Sequence, residues 1–126
     1  MTRLIEGELT DDILNAAIEI HRSLGPGLLE STYRACLAQE LSLRGHRVVT
    51  EQALPLEYKG MKLSCGYRMD LVVDGRVVVE IKAAECLAPI HDAQLLTYLR
   101  LSGHRVGLLI NFNVVVLRDG IRRLVN

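Results

Sequence analysis

The sequence has no tryptophan and one phenylalanine, so its core must be aliphatic, built from leucine, valine and isoleucine. It has no net charge, with 15 basic and 15 acidic residues. That argues against a polyanion binder acting through bulk charge, although a local basic groove stays open. Cysteine is scarce: Cys36, Cys65 and Cys86 are odd in number and lack metal-ligand spacing. Reduced thiols in a cytoplasmic protein are expected. No apolar run is long enough to span a bilayer, no signal-peptide pattern opens the chain, and no repeat or low-complexity segment appears. What remains is 126 residues, nearly half of them apolar, enough for one domain over residues 1–126 with a real core.

The informative stretch is Tyr67–Ala83, YRMDLVVDGRVVVEIKA. Two β-rich runs flank Asp74-Gly75, a strong hairpin signal. Asp70, Glu80 and Lys82 interrupt the apolar pattern. Charges in a core sheet are costly unless paired, and a strand needs none of them to fold. Side chains alternate along a strand, so Glu80 and Lys82 share a face. A two-residue loop would place Asp70 on the opposite face. A three-residue loop, with Gly75 left-handed, restores the parity and is therefore expected. The plain alternatives are a surface hairpin with solvated charges, or a structural Asp70–Lys82 ion pair.

The flanking chain reads as α/β. Helices are expected over about Asp11–Leu24, with Thr10 as N-cap, and about Leu28–Arg44, with Gly45 after its end. Strands are expected from His46 to Gln52 and in a hairpin around Lys59-Gly60. The central hairpin follows, then a helix from Pro89 to Ser102. Val106–Phe112 reads as a buried strand parallel to Val77–Ala83, and a last hairpin is expected around Asp119-Gly120. The order is ααβββββαβββ, a mixed sheet flanked by helices.

Glu30, Asp70, Glu80 with Lys82, and Gln94 with Tyr98 form an ordered set. It resembles the PD-(D/E)XK nuclease superfamily, with its restriction-endonuclease-like fold. Met69-Asp70 followed by Glu80-Ile81-Lys82 carries the likeness, with Met69 where the superfamily's name has proline. Gln94 to Tyr98 is similar to the QxxxY element of RecB-type nucleases. Gly27-Leu28-Leu29-Glu30-Ser31-Thr32-Tyr33 is similar to the signature of the GxxExxY proteins. The resemblance spans Gly25–Asn126.

It implies a Mg²⁺-dependent nuclease, with Mn²⁺ an alternative ion. Asp70, Glu80 and the Ile81 carbonyl would hold the metal, and Glu30 would complete the set or act through water. Lys82 would orient the attacking water, and Gln94 would position Lys82 or that water. Tyr98, Tyr33 and Arg68 would meet the substrate, although buried tyrosines more often serve the core. Crowded carboxylates should raise at least one acidic pKa through like charge. The expected partner is nucleic acid, DNA first, with no membrane. A homodimer is also expected, since one small domain covers a duplex poorly. Two alternatives stay open: an RNA-directed nuclease, and a nucleic-acid-binding or assembly module with little turnover.

Overall fold

The computed structural model describes residues 4–64 and 66–126, so the expectation for Cys65 lies outside the described residues. Two long helices open the chain, α1 (Gly7–Leu24) and α2 (Glu30–Leu43). Strand β1 (Val48–Ala53) and the short hairpin of β2 (Leu56–Tyr58) and β3 (Met61–Leu63) follow. Next come β4 (Arg68–Val73), β5 (Val77–Lys82), α3 (Pro89–Ser102), β6 (Val106–Asn111) and β7 (Ile121–Val125). The main sheet has five strands in the order β1-β4-β5-β6-β7, and β2-β3 forms a separate two-stranded sheet. Among the described residues only β5 and β6 run parallel, joined through α3 as the helical crossover requires.

The apolar pattern explains the layering. Val77, Val79 and Ile81 of β5 are buried with Ile13, Ala17 and Ile20 of α1 and Tyr33, Leu37 and Leu41 of α2. The alternate residues Val72 and Val78 pack with Leu95, Tyr98 and Leu99 of α3. One helix thus covers one face of the sheet and two cover the other. Gly107 on β6 lets α3 lie close, because a Cβ there would sit 2.9 Å from the Leu95 side chain.

Some expectations are corrected. Helix α1 starts at Gly7, not Asp11; Thr10 is 2 % exposed inside it, its hydroxyl donating to the Gly7 carbonyl. The terminal hairpin is absent among the described residues. Val114–Val116 forms no strand, and a short 3₁₀ turn (Leu117–Gly120) leads into β7, which pairs directly with β6. Leu117 turns into the core, and a Cβ on Gly120 would lie 2.2 Å from the Asn111 carbonyl oxygen, so the chain crosses too closely for another strand.

Candidate active site

The β4–β5 hairpin closes with Val73 opposite Val77, leaving Asp74, Gly75 and Arg76 as a three-residue loop. Asp74 and Gly75 are both left-handed, at φ 53° and 65°. Extending that register sets Asp70 opposite Glu80, so the parity argument holds. Pairing between β4 and β5 ends at Leu71↔Val79. Strand β4 stays on β1 as far as Arg68, and β5 stays on β6 as far as Lys82. The two strands split where the charged residues begin.

Splitting a ladder frees backbone groups, and the carboxylates take them up. The Asp70 N–H donates to Glu80 Oε2 (2.7 Å), and the Ile81 N–H donates to Asp70 Oδ2 (2.8 Å). Each side chain thus bonds the other's strand and keeps a second oxygen. Glu30 arrives from the first turn of α2, where Oε1 accepts the Ala83 N–H at 3.2 Å. One helical turn later, Arg34 reaches Asp70 Oδ1 (3.7 Å) and Glu51 (3.6 Å).

Glu80 is only 5 % exposed, and its carboxyl is pushed up to about 8. Burial is the largest cause, and the neighbouring Asp70 charge comes next. Asp70 is also raised, mainly by burial, against the Ile81 N–H and the Arg34 and Lys82 charges. Like charge contributes as expected, but desolvation dominates. Lys82 lies near enough to favour the ionised form of both acids.

Helix α3 borders the site through Tyr98, whose hydroxyl pKa is raised by burial and then by the Glu80 charge, with Tyr67 and Asp70 adding less. Gln94 lies on the same helix beside a cavity; among the described residues it makes no hydrogen bond with Lys82. Met69 is a core position, 1 % exposed against α3, so an apolar residue serves there as proline would. His91 accepts the Ala88 N–H at the helix start and is structural.

One assignment changes. Tyr33 has no surface for a substrate: it is fully buried and stacked on Phe112 at 4.4 Å. Its hydroxyl donates to the Gly25 carbonyl (2.6 Å) and accepts from the Leu28 N–H (3.1 Å), pinning the Gly-Pro-Gly turn that launches Glu30. Glu30 holds the Ala83 N–H with one carboxylate oxygen and keeps the other beside the site. Arg68 stays exposed, with its guanidinium on the Glu51 carbonyl.

Two residues have roles that the sequence did not give: Arg34, readable there only as a basic residue for a substrate rim, and Asn111. Arg34 follows Glu30 by one turn, the spacing at which side chains share a helix face. Asn111 is 1 % exposed at the end of β6. Its Oδ1 accepts the Ala84 N–H (3.0 Å) and its Nδ2 donates to the Ala84 carbonyl (2.9 Å), fixing the chain just after Lys82. A lone polar residue closing an apolar strand was its signal.

The model of the PD-(D/E)XK nuclease superfamily matches residues 7–124. The chain belongs to that superfamily, whose members are generally nucleases. No curated protein and no solved structure matches it. Among the described residues, no helix is long and apolar enough to cross a membrane.

Proposed function

We propose that the protein is a divalent-metal-dependent nuclease acting on DNA, with Asp70, Glu80 and Lys82 at its centre. The observation that carries this reading is the splayed β4–β5 end, where two partly desolvated carboxylates and a lysine converge without a folding need. The donors are hard oxygens, which suit Mg²⁺ or Mn²⁺. A buried carboxyl raised to about 8 also calls for a nearby positive charge when ionised. Asp70, Glu80 and the Ile81 carbonyl are the residues to hold such an ion, with water filling the remaining positions. When bound, the metal supplies charge neutralisation on phosphoryl oxygens and a more acidic water.

The chain's own groups do the rest. The Lys82 ammonium orients the attacking water and faces the charge that develops on the phosphoryl group. Asn111 and Glu30 hold the Ala83–Ala84 backbone, and so fix where Lys82 leaves the sheet. Arg34 balances Asp70 until a cation binds. Tyr98 and Arg68 border the substrate path, and Gln94 positions it. The Gly27–Tyr33 motif links the chain to GxxExxY proteins, with Tyr33 bracing rather than binding. A second copy of the chain would bring a second such centre to a duplex.

The test is cleavage of single-stranded, duplex and flap DNA, and of RNA, with Mg²⁺ or Mn²⁺. Asp70→Ala and Glu80→Ala should lose metal binding in calorimetry as well as cleavage. Lys82→Ala should keep metal binding and lose about 10²–10⁴-fold in rate. Wild-type cleavage no faster than that of these variants would sink the nuclease reading. A binding module with little turnover is the alternative outcome. Substrate binding without any cleavage would establish it.

A further inference from the structure

Beside the carboxylates, a cavity of about 360 Å³ opens between α3, the approach to β4 and the β2–β3 hairpin. Leu54, Leu56, Tyr67, Thr97, Gln94 and Tyr98 line it, and no charged side chain does so among the described residues. Tyr98 is the shared wall: it borders the cavity and feels the Glu80 and Asp70 charges. Tyr67 stands at the mouth, 45 % exposed, outside the regular strand.

These features select a ligand chemistry. No charged side chain lines the cavity, and Arg100 sits only at its edge, donating to Thr97 Oγ1, so a phosphate stays outside. A flat group with apolar faces and a polar edge fits instead. Tyr67 offers a face to stack on, while the Gln94 amide and the Thr97 hydroxyl offer both donor and acceptor. Exposed Lys59 and Lys62 lie on the same hairpin as Leu56 and suit a backbone leaving the cavity. We infer that this cavity receives one unpaired nucleobase next to the scissile phosphate, with Tyr67 as its stacking platform. The inference rests on the nuclease reading and narrows it. A base can enter only when it is out of the duplex, so the substrate is single-stranded or locally frayed nucleic acid.

The experiment measures fluorescence anisotropy of labelled single-stranded DNA, single-stranded RNA and paired duplex, with Ca²⁺ replacing Mg²⁺, beside cleavage and gel filtration. Tyr67→Ala should weaken single-strand binding about tenfold or more, the scale of one lost base stack. Tyr67→Phe should restore it, and duplex binding should not change. Circular dichroism confirms that both variants fold. If Tyr67→Ala binds single strands like the wild type while the wild type cleaves, the cavity is idle and only this inference falls. If the wild type neither binds nor cleaves any nucleic acid, the nuclease reading falls and takes the inference with it. If Tyr67→Ala turns a dimer into a monomer with nucleic-acid affinity unchanged, a second copy covers the cavity and the inference is overturned.

Discussion

Glu80 concentrates the tension in this structure. It is buried, beside another acid, and bonded to one backbone N–H. Its folded pKa of about 8 lies above the ordinary 4.5, so between those values the folded chain holds a proton that the unfolded chain has lost. Stability from this group therefore falls as pH rises through that window. Glu80→Gln keeps the shape, accepts the Asp70 N–H and removes the titration. The variant should be more stable than the wild type at pH 8, by about 1–3 kcal/mol, and nearly equal to it at pH 4. Urea unfolding at the two pH values checks this, and a parallel pH dependence in both proteins would count against it. Asp70, Glu80 and Lys82 were legible because charge in a valine-rich strand is conspicuous. Tyr33 was misjudged because a motif tyrosine looks the same in sequence whether its hydroxyl meets a substrate or a backbone carbonyl. Only the stacking on Phe112, nearly eighty residues away in the chain, decides it.

At the level of elements, a clasp at the opposite end of β4 and β5 ties α1 to the central hairpin. His46 Nδ1 lies 2.7 Å from Asp74 Oδ2, and its Nε2 lies 2.7 Å from Asp12 Oδ2. A neutral imidazole has only one N–H, so both bonds together need the imidazolium. Asp74 raises the His46 pKa most, with Asp12 next and burial opposing. Around them stand Arg76, paired with Glu6 and Asp74, and the Arg47 N–H on Asp74 Oδ1. Burial works against the Asp74 charge, but His46 and the Arg47 N–H outweigh it and lower its pKa.

Because His46 is raised above its ordinary 6.5, its contribution is complete below that pH and is lost as pH rises through the folded value. Asp74, being lowered, loses its own contribution only as pH falls through its folded value. His46→Ala should cost about 1–3 kcal/mol near pH 6 and less near pH 9. Thermal melts across that range test it; a pH-independent cost would mean that His46 matters only through packing. The three-residue loop beside this clasp was readable from parity. The missing last strand was not, since Val114–Leu117 has a strand's composition and only the close crossing at Gly120 forbids it.

Across the whole molecule, the zero net charge conceals an uneven distribution of free cations. Several basic residues are committed to ion pairs: Arg34 to Asp70 and Glu51, Arg44 to Glu19 and Glu40, Arg122 to Asp92. Beside the carboxylates and the cavity, the exposed basic residues are Lys59, Lys62, Arg68 and Arg100. Sequence could count charges but not assign them, because ion pairs such as Arg122–Asp92 join distant parts of the chain. This sets an expectation for nucleic-acid binding. Each neutralised phosphate of a single strand steepens the salt dependence by about 0.7 in log Kd against log salt. Four cations then predict a slope of about 3, below that of a long basic groove. Lys62→Ala should lower the slope by about 0.7 and weaken single strands of any sequence alike, whereas Tyr67→Ala should weaken binding without changing the slope. Anisotropy titrations at several salt concentrations give both numbers. A slope near zero, or one unmoved by Lys62→Ala, would show that the backbone does not run past the β2–β3 hairpin.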